Sequence, residues 1–421
     1  MLHKQTTSQE IFSKEVRIMA EFLTEDAARK LVKEYMAKET ASPSTQDILS
    51  GGAIPRLRNF VVAAGKSSDS ILDGEGRFTL DKERWDREFQ PYMSGLNYTA
   101  EQFIAHGEDG VAKEKMRVTF TNPHLHTKYN TPLRIMVRTE RISTHDINRG
   151  EIPFKDQILA KNHYVMQRLT QDALGTSQFD VPGLEDTSVV IAAENLRTLP
   201  IEMVLRAYMA KSATTTSLYQ AWLHDVTMFC GHPVNSAWIA NGKLPYVLDT
   251  PSTKSDEHDK SVAPTFFINE GICTTAQYAN IRNAALVAFG VVSEFVRNRG
   301  LILVDTKTEH GVNTEGEIVA QDELYTLDSS RFWLASDYAR QLARLARGEI
   351  KELNPASYSK EFARGFSEGD QGYTDEQRRE IAVRYIMGIQ QLTGEPFRPD
   401  MRSRKERVVS GLQAIVEHLV A

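Results

Sequence analysis

The chain has 421 residues, 41% of them hydrophobic and 25% charged, with a formal net charge of −6 and a pI near 6.0. That is the composition of an ordinary globular protein with room for two or three domains, and its acidic balance argues against a nucleic-acid partner. Two cysteines, Cys230 and Cys273, do not suggest a disulfide framework. No apolar run approaches the roughly 20 residues of a membrane span, and Met1 to Met19 lacks the apolar core of a signal peptide, so the expected location is the cytoplasm with no membrane partner.

Thr24 is placed to cap a helix from Glu25 to about Lys38, with Ala28, Leu31, Val32 and Tyr35 on one face. The polar stretch Thr40 to Gly52 reads as a linker, and Gly51-Gly52 as flexible connection rather than a phosphate loop. From about Gly107 to Asp146, apolar runs such as Met116 to Phe120 and Leu133 to Val137 alternate with turn residues, which predicts a small β-rich unit. His124 and His126 within it lack a third ligand at zinc-like spacing and are expected in a loop. Ser188 to Ala192 is strand-like, and Tyr278 to Val296 reads as a long helix with Ile281, Ala285, Ala288, Val292 and Phe295 inward. Arg384 to Phe397 reads as a helix with its stop. Arg398 to Arg407 is expected to be a solvated helix start, followed by a docking stripe of Val408, Leu412, Ile415, Val416 and Leu419. The fold class is α+β, with no internal repeat.

The chemistry concentrates between Gly300 and Trp333. Leu301 to Val304 is a continuous apolar run after a glycine suited to ending a helix, so it reads as an interior strand. If the strand continues, Asp305, Lys307 and Glu309 share one face, because side chains repeat every second residue. Carboxylates are the hard ligands magnesium prefers, and a lysine beside them is a point charge for a phosphoryl or carboxylate oxygen. The same pattern also fits a purely structural ion-pair network at a strand end.

Five segments in order give this reading a context. They are Thr139-Glu-Arg-Ile-Ser-Thr-His-Asp146, Glu202-Met-Val-Leu-Arg206 continuing to Ser212, Thr250-Pro-Ser-Thr-Lys254 with His258-Asp259, Asp305-Thr-Lys307-Thr-Glu309-His-Gly311, and Asp322-Glu-Leu-Tyr-Thr-Leu-Asp328-Ser-Ser-Arg331-Phe-Trp333. From roughly Lys113 to Phe397 the sequence resembles the phosphoribosylaminoimidazole-succinocarboxamide (SAICAR) synthases. The resemblance implies a two-lobed fold, with a small β-rich ATP-binding lobe, a larger mixed lobe and the active site in the cleft. The corresponding division is an N-terminal extension over 1–105, a small lobe over 106–200, a large lobe over 201–397 and a C-terminal helix over 398–421.

It also implies an ATP- and magnesium-dependent ligase joining L-aspartate to carboxyaminoimidazole ribonucleotide (CAIR) through an acyl phosphate. A paralogue with another carboxylate or amine, or a non-catalytic nucleotide-binding regulator, is the alternative, and a homo-oligomer is left open. Carried over position by position, Lys307 and Asp305 are expected to be catalytic, and Glu309 and Asp322 to hold magnesium. Lys115, Arg117 and Asp146 are expected to face ATP. Arg206, Ser212 and Arg331 are expected to hold the ribonucleotide phosphate, with Lys254 and Asp259 in the loop that captures aspartate. Several positions depart from the family pattern. Ala207 and Lys211 replace glycines, and Lys211 is expected to compensate by binding the same phosphate. Thr308 and His310 replace phenylalanines, which makes the opposite face of that strand polar, and Leu327 replaces a proline.

Overall fold

The computed structural model describes residues 22–38, 117–144, 147–184, 186–214, 217–254 and 259–420. The chain opens with helix α1 (Glu25–Lys38), then strands β1 (Arg117–His126), β2 (Pro132–Arg138), β3 (Arg141–Thr144) and β4 (Ile147–Glu151). Helix α2 (Lys155–Leu174) precedes β5 (Val190–Glu194) and β6 (Arg197–Tyr208). A short helix α3 (Leu218–Leu223), strands β7 (Met228–Phe229), β8 (His232–Pro233), β9 (Lys243–Asp249) and β10 (Ser252–Thr253), and helices α4 (Pro264–Asn269) and α5 (Thr275–Arg297) follow. The last part comprises β11 (Leu301–Val312), β12 (Ile318–Gln321), β13 (Ser330–Leu334), α6 (Ala335–Ala346), α7 (Glu361–Arg364), α8 (Asp375–Thr393) and α9 (Arg404–Ile415), which continues as a π-helical turn to Val420.

Two antiparallel sheets carry the architecture. A three-stranded sheet has the order β1-β2-β5. In the larger sheet β6 and β11 lie side by side at the centre, with β9 and β10 on the outer side of β6 and β12 and β13 on the outer side of β11. Strand β6 runs across the 200/201 division expected from the sequence, so one continuous strand joins those two parts of the chain. The linker expected at 40–52 lies outside the described residues.

Helix boundaries follow their caps. Thr24 Oγ1 accepts from the Ala27 amide at 3.2 Å, as its place before Glu25 predicts. Both α5 and α8 begin with a capping box, Thr274 with Gln277 and Thr374 with Gln377. Helix α8 ends at Gly394, whose φ of 74° is the left-handed conformation glycine adopts without cost. By length and composition α5 could cross a bilayer. It packs instead along the large sheet, burying Ile281, Ala285, Ala288 and Val292 in the main core with Leu301 and Leu303 of β11.

That core occupies one face of the large sheet. Ile201, Met203 and Leu205 of β6 point into it, which leaves Glu202, Val204 and Arg206 on the opposite face. On β11 the residues that pair directly with Met203 and Leu205 are Thr308 and Thr306, so Asp305, Lys307 and Glu309 are on the opposite face. Leu301 and Leu303, also odd-numbered, are in the core. An irregularity in the β11–β13 ladder between Leu303 and Asp305 reconciles the two, with Val304 as the extra residue. The bulge shifts the phase of the strand, so apolar side chains enter the core and ionisable ones emerge beyond it.

Two expectations are corrected. His124 and His126 lie in β1, not a loop. The start of the C-terminal helix is not solvated, because Arg404 and Arg407 are both buried. Arg407 donates to Asp156 at 3.0 Å and to the Tyr35 hydroxyl at 3.3 Å. The apolar stripe does dock, with Val408, Leu412, Ile415 and Leu419 buried.

Helix α1 is fastened into this region. Ala28 and Val32 are fully buried, the Tyr35 ring lies 4.1 Å from that of Phe154, and the Tyr35 hydroxyl donates to Glu140 at 2.9 Å. Burial, reinforced by nearby Asp156, pushes the Glu140 carboxyl up to about 8, so at neutral pH it is largely protonated. Between the ordinary carboxyl range and 8 the folded chain therefore binds a proton that the unfolded chain does not. Stability from this group is complete below the ordinary range and is lost as pH rises through 8. Glu140→Gln, which keeps an acceptor for Tyr35 and the Phe154 amide, is expected to flatten the fall in urea midpoint between pH 5 and 8.5; an unchanged profile would assign that fall elsewhere.

Candidate active site

The face of the large sheet opposite the core lines a cavity of about 530 Å³. Its floor is the cross-strand register itself. Asp305 lies directly opposite Arg206 of β6 on one side and Arg331 of β13 on the other, so all three side chains project together. Arg331 Nε donates to Asp305 Oδ1 at 2.8 Å, with Nη2 on Oδ2, and Arg206 Nη1 donates to Oδ2 at 3.2 Å. Burial alone would raise the Asp305 pKa, but the two guanidiniums hold it below the usual carboxylate range, so it stays charged. Arg206 Nε also donates to Thr250 Oγ1 at 2.9 Å, and Arg331 Nη1 to the Lys211 carbonyl at 2.8 Å.

Two residues along β11 the signs reverse. Lys307 Nζ donates to Glu202 at 2.6 Å and to Glu309 at 3.3 Å, and Glu309 also accepts from Lys254. Burial works against the ammonium, yet Glu309, Glu202 and Asp322 together raise its pKa, so three carboxylates surround one cation. Asp322 follows β12 at φ 66°, a conformation non-glycine residues rarely adopt, and its Oδ1 accepts from the Glu323 amide at 2.7 Å.

The structure thus brings Asp305, Arg206 and Arg331 into one ion network and Lys307, Glu309 and Lys254, with Glu202, into a second on the same face of the sheet. Ser212 and Asp259 line the same cavity. Lys115 and Asp146 lie outside the described residues, and of Arg117 only its place in β1, opposite Arg138, is described. Lys211 does not act as expected for its missing glycine. Its Nζ pairs with Glu352 at 2.7 Å, while its carbonyl is held by Arg331.

A family model described as SAICAR synthetase matches residues 125–380, more than half of the chain. The chain belongs to the SAICAR synthetase family. The chloroplastic phosphoribosylaminoimidazole-succinocarboxamide synthase of Arabidopsis thaliana is 34% identical over 269 residues, 62% of each protein. That of Legionella pneumophila strain Paris is also 34% identical, over 62% of this chain and 83% of its own. The chain therefore spans less than two thirds of the plant relative and most of the bacterial one. In fold it is similar to the SAICAR synthase of Saccharomyces cerevisiae solved with SAICAR, at a TM-score of 0.56 and 20% identity, over 69% of this chain and 96% of that one. The mixed α+β, two-lobed architecture expected from the motifs is the one this family has.

Within the family's cavity, sequence reasoning missed a second buried layer. Asp328 is paired with Lys155 of α2 at 2.8 Å and accepts from the Tyr385 hydroxyl of α8. Lys155 and Tyr385 lie in helices that carry no local motif, and Asp328, though inside a quoted segment, gave no hint of its partners. Lys360 and Arg364, in and beside α7, also line the cavity. Among the described residues no three His, Cys, Asp or Glu side chains form a ready metal cage. Glu309 and Asp322 nonetheless suit magnesium, which takes one or two protein carboxylates and completes its shell with phosphate oxygens and water.

Two outcomes follow from these contacts. Asp305→Asn leaves two buried guanidiniums without their counter-charge and is expected to lower stability by about 3 kcal/mol, measured by urea denaturation. His310 is buried with neither ring nitrogen hydrogen-bonded among the described residues. His310→Phe is expected to raise stability by about 1 kcal/mol; a lower urea midpoint would mean that the ring makes a polar contact that matters.

Proposed function

We propose that the protein is an ATP-dependent carbon–nitrogen ligase that joins L-aspartate to the carboxylate of CAIR, giving SAICAR, ADP and phosphate. The observation that carries the reading is the layout of β11, with a guanidinium pair at one end of the cavity and an ammonium ringed by three carboxylates at the other. A carboxylate is a poor acyl donor, so it must first take the γ-phosphoryl group; the amine then attacks the acyl phosphate, its carbonyl carbon keeps the nitrogen, and phosphate leaves. Phosphoryl transfer between anions requires positioning and charge neutralisation more than covalent participation by the protein.

Arg206 commits Nε to Thr250 and Nη1 to Asp305, and among the described residues its Nη2 has no partner. With Arg331 and the Ser212 hydroxyl it is the proposed holder of the ribonucleotide phosphate, where a planar guanidinium offers paired donors. Asp305 sets the angle of both arginines. Lys307 is the proposed contact to the substrate carboxylate and the transferring phosphoryl group, with its ammonium kept charged by Glu202 and Glu309. Glu309 and Asp322 are the proposed magnesium ligands, and the metal, when bound, would neutralise phosphoryl charge. Lys115, Arg117 and Asp146 are proposed to face ATP, and Lys254 and Asp259 to attend aspartate capture. The cytoplasmic location belongs to the same proposal.

ADP release should require ATP, magnesium, CAIR and L-aspartate together, with the amide confirmed by mass. Lys307→Ala is expected to reduce that rate at least about 100-fold while the circular dichroism spectrum is unchanged. ADP release independent of CAIR or aspartate would overturn the assignment, and an unaffected Lys307→Ala rate would remove that side chain from the mechanism.

A further inference from the structure

The turn that carries Asp322 is held in an unfavourable conformation by a helix that lies outside the cavity. Asp322 and Tyr325 both have positive φ, 66° and 50°. Residues other than glycine rarely adopt such angles, and they persist only where the surroundings enforce them. The enforcing contacts come from one face of α2. Asn162 and His163 follow Lys155 by about two helical turns, and all three meet the segment 324–328. Asn162, fully buried, donates from Nδ2 to the Tyr325 carbonyl at 3.1 Å and accepts at Oδ1 from the Leu327 amide at 2.9 Å. His163 accepts at Nδ1 from the Leu324 amide at 3.2 Å, so the ring proton is on Nε2, which donates to Gln178 Oε1 at 2.9 Å. The end of the helix abuts the strand that leads into the turn: a Cβ at Gly175 would lie 2.8 Å from Val319 Cγ1 of β12.

Neither Asn162 nor His163 lines the cavity on the large sheet, so each acts on the chemistry only through the backbone it holds. Metal ligation is exacting about that backbone. Magnesium demands near-octahedral geometry at about 2.0–2.1 Å, and a relaxation of Asp322 out of its positive φ would redirect the carboxylate. Groups behind a metal ligand set its direction as much as the ligand's own rotamer does. We propose that Asn162 and His163 are positioning residues, which keep the Asp322 carboxylate aimed at the magnesium ion it shares with Glu309. The inference rests on the magnesium-dependent ligase reading above and adds to it the helix that sets one of the two ligands.

With purified full-length protein and with CAIR and aspartate omitted, calorimetry measures ATP affinity in EDTA and again at saturating magnesium; the ratio is the tightening due to the metal. His163→Asn keeps an acceptor one bond from Cγ, where Nδ1 stands, whereas His163→Gln extends past that point and loses it. His163→Gln is expected to reduce the tightening by roughly fivefold, the loss of one neutral hydrogen bond, with ATP affinity in EDTA unchanged. His163→Asn should stay within about twofold of wild type. The magnesium concentration for half-maximal ADP release should rise in parallel with the loss of tightening. If His163→Gln does not fold, Gln178→Leu, which frees the ring from a half-buried position, is compared with Gln178→Glu, which keeps the acceptor for Nε2. Wild-type tightening in His163→Gln, or an equal loss in His163→Asn, assigns the ring to packing alone and overturns the positioning role while leaving the ligase reading intact. Wild-type protein whose ATP affinity does not respond to magnesium overturns the magnesium reading and the positioning role with it.

Discussion

The carboxylate of Asp305 between two guanidiniums is the contact on which the rest of the site depends. It stands at the centre of an antiparallel sheet, opposite Arg206 on one neighbouring strand and Arg331 on the other. A lone carboxylate there would shed its charge, and a lone guanidinium would be still harder to bury; together they keep all three charges in place. The order then spreads outward. Through Arg331 it reaches the Lys211 carbonyl and hence the position of Ser212, and through Arg206 it reaches Thr250 and the turn into β10. One side chain therefore orients residues from two neighbouring strands and two connections, which is the rigidity that positioning chemistry requires.

What makes this placement possible is an irregularity of the backbone, and it marks the limit of what the sequence discloses. The alternation of Asp305, Lys307 and Glu309 is legible because a strand has a period of two. Strict alternation through Leu301 and Leu303 would, however, turn those leucines toward the cavity or the charges toward the core. The bulge at Val304 removes the conflict, and no residue type announces it, since valine is an ordinary strand residue. The cap at Thr24 and the stop of the helix that holds Arg384 were legible for the opposite reason, because their side-chain and backbone requirements are local. Lys155, Tyr385 and Lys360 enter the site from helices and a loop remote in sequence, and only packing brings them to Asp328 and the cavity. Arg404 and Arg407 were misread in the same way. A basic run looks solvated until a buried carboxylate, Asp156, supplies its partner.

The departures from the family pattern fall where the framework tolerates them. Lys211 replaces a glycine at a backbone position fixed by its own carbonyl, and its side chain pairs with Glu352. His310 and Thr308 place polar atoms in an apolar setting, with the Thr308 hydroxyl and both His310 nitrogens lacking partners among the described residues. They cost stability, but neither displaces the functional face, because the ladder with β6 holds Lys307 opposite Val204 and Glu309 opposite Glu202.

Pairing most of the cavity's cations with carboxylates of the chain has a consequence for binding. An incoming anion at Lys307 gains only the difference between its own contact and the ones it weakens, so this residue confers geometry more than affinity. Where the anion is to be chemically changed, that is advantageous, because strong ground-state binding would not lower the barrier.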